Sequence, residues 1–212
     1  MTRVPVAILI SGRGSNMAAL LAAAAAPDFP AEPVLVAANR PDAAGLARAD
    51  AAGVATETVD HRAFKGDREA FERALSARIE AAGAELVCLA GFMRLFTPWF
   101  VTRWRDQLLN IHPSLLPAFR GLDTHARALA AGVAFHGCTV HLACEEMDDG
   151  PILGQAALRV APEDTVDTLA GRVLTLEHRL YPACLAAFAR GALRMEGGRR
   201  VGAPIALAAE DV

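Results

Sequence analysis

The sequence predicts an α/β fold, a mostly parallel sheet with helices on both faces. An apolar run of strand length, residues 4–10, turns through Ser11, Gly12, Arg13 and Gly14 directly into a helical stretch, 15–26. Short apolar runs and longer helix-like segments then alternate as far as Ala90. Parallel strands joined in this way need a crossover that returns on one hand. With 53% hydrophobic and 21% charged residues, the chain can bury a sizeable core and lies far from disordered compositions.

Element by element, residues 33–38 predict the second strand, 42–52 a helix, 55–59 the third strand, 67–82 a long charged helix and 85–90 the fourth strand. After Gly91 the spacing changes. Residues 108–111 are a short apolar run that ends in His112 and Pro113, and the stretch on to Gly121 has no period, which predicts a loop. Residues 137–143 alternate around His141 as a strand, with 151–160 as its antiparallel partner and 145–150 as the connection. Residues 164–190 predict a long amphipathic helix whose acidic first turn suits the helix dipole. One domain is expected over 1–195, followed by a loosely ordered tail, 196–212.

Composition narrows the function. A formal charge of −3 has the wrong sign for a general phosphate-backbone binder, so no nucleic-acid partner is expected. The four cysteines form no C-x-x-C and sit mostly in apolar runs, as free thiols in a reducing compartment do. The opening apolar run lacks the basic start and cleavage site of a signal peptide. The run AALLAAAAA stops at Pro27, far short of the roughly 20 residues of a membrane-spanning helix. A cytoplasmic location with no membrane partner is expected.

Three segments could carry chemistry. Gly12, Arg13, Gly14, Ser15 and Asn16 lie between a strand and a helix, where free N–H groups and the helix dipole favour an anion. Met17 stands where a dinucleotide fingerprint wants its third glycine, and no P-loop follows. A tight turn with Ser15 as N-cap is the plain alternative. Asn110 and His112 are two apart at a strand end and point the same way, so they can act on one group at the carboxyl edge of the sheet. An amide donates to a developing oxyanion, and an imidazole exchanges a proton near neutral pH; the alternative is a polar strand end with a satisfied histidine. Glu145, Glu146, Asp148 and Asp149 precede Gly150, either as a solvated acidic turn or with one carboxylate orienting an imidazole. The histidines show no zinc spacing: His136 and His141, five apart on a strand, face opposite sides, and no metal is expected. No nucleophile elbow is present, and no cysteine carries a catalytic signature.

The segments ISGRGSN, LAGFMRLF, LLNIHPSLLPAFRGLDTH, HGCTVHLACEEMDDGPIL and LEHRLYP, in this order across nearly the whole chain, strongly resemble the phosphoribosylglycinamide formyltransferase family. The resemblance implies a mostly parallel seven-stranded sheet and transfer of a formyl group from 10-formyltetrahydrofolate to glycinamide ribonucleotide in purine synthesis, as a monomer or homodimer with small-molecule substrates. By the family's pattern Asn110, His112 and Asp148 are the catalytic set, with Asp149 a variable neighbour. Gly12, Arg13, Gly14, Ser15 and Asn16 correspond to the phosphate-binding stretch, and Glu177 to the glutamate that holds the glycinamide. Arg68, Met93, Arg94, Leu95 and Phe96 correspond to folate-binding surfaces, as do Asn110, Cys144, Glu145, Glu146, Met147 and Asp148. Asp123 departs from a histidine common among relatives, and Phe119 and Arg120 replace a variable pair.

Methionyl-tRNA formyltransferase and formyltetrahydrofolate hydrolase resemble this family in the Asn, His, Asp set but normally have an extra domain for which this length leaves no room. A non-catalytic folate-binding module would carry the three residues to no purpose.

Overall fold

The computed structural model describes residues 2–208, which group into two compact units, Met1–Asn110 and Ile111–Val212. In the first, β1 (Val4–Ile10) leads into α1 (Ser15–Ala24) and β2 (Ala31–Ala38) into α2 (Gly45–Ala51). There follow β3 (Thr56–Thr58), a 3₁₀ turn (His61–Phe64), α3 (Arg68–Ala81), β4 (Leu86–Leu89) and α4 (Pro98–Arg103). β5 (Leu108–His112) straddles the division between the units. β1 pairs with β2 and β4, β2 with β3, and β4 with β5, all in parallel. Val6, Ala7, Ile8, Leu9 and Ile10 are wholly buried, as the continuous apolar strands of a parallel sheet are.

Local chemistry sets the element ends. β2 begins two residues before the apolar pattern. Pro33 has no N–H to give and sits at a break in register, where Val6 pairs with Pro33 and Ala7 with Leu35, so that Val34 is passed over. α1 is capped by Gly14 in a left-handed conformation (φ 69°, ψ 37°), and Ser15 is its first helical residue; the side-chain cap expected of Ser15 is not formed. Asp67 caps α3, accepting a hydrogen bond from the Ala70 N–H at 3.0 Å. The short α4, which the sequence pattern did not reveal, opens on Thr97 with Pro98 at its first position, where the missing N–H costs nothing.

The second unit continues with α5 (Thr124–Ala130), β6 (Phe135–Leu142), β7 (Ile152–Arg159), α6 (Val166–Ala189), β8 (Arg194–Glu196), β9 (Arg199–Val201) and β10 (Ile205–Ala208). β6 and β7 are antiparallel, as expected, and β10 lies parallel to β7. α6 starts after a capping box between Thr165 and Thr168. Asp164 stays outside the helix, accepts from the Ala161 N–H at 2.8 Å and pairs with Arg172 at 2.5 Å.

Two expectations are corrected here. Residues 196–212 are not a loose tail throughout, because β9 and β10 fall inside that stretch; residues 209–212 lie outside the described residues. Among the described residues the sheet has eight strands, in the order β10-β7-β6-β5-β4-β1-β2-β3, rather than seven. The added strand hides in the sequence because four residues alternating half-buried and exposed are too short a signal.

Candidate active site

In the first unit the β1–α1 turn lines a cleft of about 380 Å³. Gly12, Arg13, Gly14, Ser15 and Asn16 border it together with Asn39, Arg40, His61, Gly91, Met93 and Arg94. The first N–H groups of a helix have no intrahelical acceptor, so the start of α1 is suited to an anion. The turn is fixed from beneath. The Gly45 N–H donates to the Gly12 carbonyl at 2.9 Å, and a Cβ on Gly14 would lie 3.2 Å from Gly45 Cα. The Ser11 hydroxyl accepts from the Met93 N–H at 2.8 Å, which ties the β4–α4 connection to the same turn.

The sequence reading missed Asn39, Arg40 and His61. His61 Nδ1 stands 2.8 Å from the Asn39 carbonyl, and a carbonyl only accepts, so this nitrogen carries a proton. Arg40 is engaged by Asp42, whose carboxyl the guanidinium hydrogen bond holds down to about 2. The available signal was position: Asn39 and Arg40 directly follow a parallel strand, at the edge where ligands bind. The Arg68 guanidinium donates to the Leu95 carbonyl, bringing those two together. Phe96 is stacked between Phe92 and Phe100, at 5.2 and 4.1 Å between ring centroids.

In the second unit His112, at the end of β5, is 6% exposed. Its Nε2 faces the Phe119 carbonyl at 3.0 Å and its Nδ1 faces Asp148 Oδ2 at 3.4 Å. The same carboxylate accepts from the Gly121 N–H at 2.9 Å and lies 3.7 Å from His141 Nε2. Asp148 adopts φ 54°, a left-handed conformation that aspartate tolerates better than most residues. The turn beneath it closes on Gly150, where a Cβ would fall 1.8 Å from the Leu142 carbonyl oxygen. His141 sits where β7 carries an extra residue, Leu153, between the partners of Val140 and His141. Burial pushes its pKa down, against the Leu142 carbonyl and Asp148, which raise it. Period-two counting had set His141 aside as a poor metal partner; its closeness to Asp148 was not legible without the fold of the 143–150 turn.

This arrangement couples a carboxylate to an imidazole at the end of a strand whose Asn110 lies two residues before His112. The model of the formyl transferase family matches residues 4–185, most of the chain. The chain belongs to the formyl transferase family. It is 43% identical over 190 residues to the phosphoribosylglycinamide formyltransferase of Escherichia coli, covering 90% of this chain and 89% of that one. It is 46% identical over 198 residues to the trifunctional purine biosynthetic protein adenosine-3 of Gallus gallus, covering 93% of this chain but 20% of the relative. The chain thus spans about a fifth of that larger protein. Among solved structures, glycinamide ribonucleotide transformylase 1 of Symbiobacterium toebii superposes with a TM-score of 0.89 at 44% identity, over 93% of each chain.

The other residues that the family resemblance singled out fall as follows. Glu177 is buried in α6 and close enough in charge to reach Cys138 of β6, whose thiol is pushed up by burial first and by Glu177 second. Cys144 donates to the Glu146 carbonyl at 3.1 Å within the acidic turn, where Glu145, Glu146 and Met147 are exposed. Burial pushes the Cys184 thiol up to about 12, in keeping with a structural thiol. Among the described residues no three His, Cys, Asp or Glu are grouped to hold a metal ion, and no helix is long and apolar enough to cross a membrane.

Proposed function

We infer that this chain transfers the formyl group of 10-formyltetrahydrofolate to the amine of 5-phosphoribosylglycinamide, yielding formylglycinamide ribonucleotide and tetrahydrofolate. The observation that carries the reading is the buried His112 ring beside Asp148, in a chain that matches a formyl transferase over 4–185. The amine attacks the formyl carbon, forming a C–N bond and a tetrahedral oxyanion. Asn110 and His112 donate hydrogen bonds to that oxyanion. The C–N bond to the folate then breaks as its nitrogen takes a proton from His112, and the proton lost by the attacking amine returns to the ring through solvent. Asp148, 3.4 Å from His112 Nδ1, orients the ring.

Gly12, Arg13, Gly14, Ser15 and Asn16 hold the substrate phosphate and Glu177 the glycinamide end. Arg68, Met93, Arg94, Leu95 and Phe96, with Asn110 and the segment Cys144, Glu145, Glu146, Met147 and Asp148, form the folate surface. The family match runs through both compact units, which supports a single formyltransferase domain over 1–195; the proposal places it in the cytoplasm, as a monomer or homodimer that works without a metal. The test is release of tetrahydrofolate by the purified protein with and without glycinamide ribonucleotide. Release that depends on the ribonucleotide is expected. Release without it would mark a hydrolase, and formylation of methionyl-tRNA instead would mark the other relative.

A further inference from the structure

Three consecutive residues of the loop after β5 each hold a different partner. The Phe119 carbonyl faces His112 Nε2 at 3.0 Å, the Arg120 guanidinium pairs with the Asp149 carboxylate, and the Gly121 N–H donates to Asp148 Oδ2 at 2.9 Å. Phe119 (φ 55°) and Asp148 (φ 54°) are both left-handed without being glycine, a conformation that persists only where surrounding contacts impose it. Arg127 supports the loop from α5: its Nη1 donates to the Arg120 carbonyl at 2.5 Å and its guanidinium lies 5.7 Å over the Phe119 ring. The Arg120–Asp149 contact is the member of this set that joins two full charges, and it touches neither His112 nor Asp148 directly.

We propose that the Arg120–Asp149 ion pair is a clasp that positions His112. By pinning residue 120 to residue 149, it keeps the neighbouring Phe119 carbonyl and the neighbouring Asp148 carboxylate on opposite ring nitrogens and so fixes the plane of the ring; delivery of the proton then needs only that Nε2–H exchange the Phe119 carbonyl for the substrate while Nδ1 stays on Asp148. Both residues are positioning residues. The proposal rests on the reading of His112 as proton donor given above. The pair is 40% and 46% exposed, and an exposed pair shifts an equilibrium by no more than about fivefold, so the effect is bounded.

The test is steady-state kinetics on Arg120→Ala, Asp149→Ala and the charge-reversed double variant Arg120→Asp/Asp149→Arg. Each single variant should lose about two- to fivefold in kcat, with KM for both substrates and the melting midpoint nearly unchanged. The double variant should recover most of the loss. Salt near 1 M, where the Debye length is about 3 Å, should lower wild-type kcat toward that of the single variants and leave theirs unchanged. Unchanged or raised kcat in the single variants, a loss carried by KM, or no recovery in the double variant would overturn the clasp. If the wild type releases no tetrahydrofolate at all, the assigned reaction fails instead. The clasp is then decided by the ¹⁵N resonances of the His112 ring, which must move in Arg120→Ala and would refute it by staying still.

Discussion

Replacing Gly14 by valine strikes the start of α1 in two ways. A left-handed residue with a Cβ costs about 1–2 kcal/mol, more when it is β-branched. The new Cβ would also lie 3.2 Å from Gly45 Cα and 3.1 Å from Met17 Cε, so the turn has to move away from α2. Against a usual stability of about 5–15 kcal/mol the protein stays folded. Displacing one N–H that serves a phosphate loses a charge-assisted hydrogen bond of about 1.5–3 kcal/mol, which is about 10- to 100-fold in affinity. KM for glycinamide ribonucleotide should therefore rise by about that factor, while KM for the folate changes little. The assay is initial-rate kinetics with each substrate varied in turn, beside a circular dichroism check of the fold. An equal rise in both constants, in a folded variant, would refute the reasoning and leave residues 12–16 a structural turn.

Other outcomes follow from the second unit. His112→Ala and Asn110→Ala should each abolish formyl transfer while thermal unfolding shifts by no more than about 1–2 kcal/mol; substantial turnover in either purified variant removes that residue from the catalytic set. Asp148→Asn should lose activity by orders of magnitude yet unfold like the wild type, since asparagine also tolerates the left-handed backbone, whereas Asp148→Ala should lose stability as well. Equal melting of the two variants would show that φ 54° is not what the carboxylate side chain makes tolerable. Burial, then His125, hold His136 down to about 4, whereas an unfolded histidine titrates near 6.5. Between those values the unfolded chain binds the extra proton, so stability is fully present above about 6.5 and drains away as pH falls toward 4. Melting midpoints from pH 7 to 4 should fall steeply in the wild type and less steeply in His136→Gln; parallel curves would refute this.

What the sequence made legible follows from how each signal is encoded. β1 and the turn after it were readable because five consecutive buried apolar residues and two glycines need no partner to interpret. Asn110 and His112 were readable because strand period alone aligns them. His141 was not, since its approach to Asp148 depends on the 143–150 turn and an extra residue in β7. Arg120 and Asp149 looked like a variable pair and a solvated acid, because an ion pair between residues so far apart in sequence leaves no local trace. α4, of six residues, is too short to build a helical period, and α5 follows closely on the aperiodic stretch that ends at Gly121, so no change of pattern marks its start.

The family match stops at residue 185, but the chain uses a segment beyond it to finish its own sheet. β10 pairs with β7 from Gly154 to Ala157 and, as the outermost strand of the sheet, presents a four-residue edge in place of the eight-residue flank of β7. A chain trimmed at the family boundary would keep every residue assigned to chemistry and yet carry an open β flank, ready to recruit a strand from another molecule. Light scattering of a 1–202 truncation, which lacks β10, should register the longer edge as self-association.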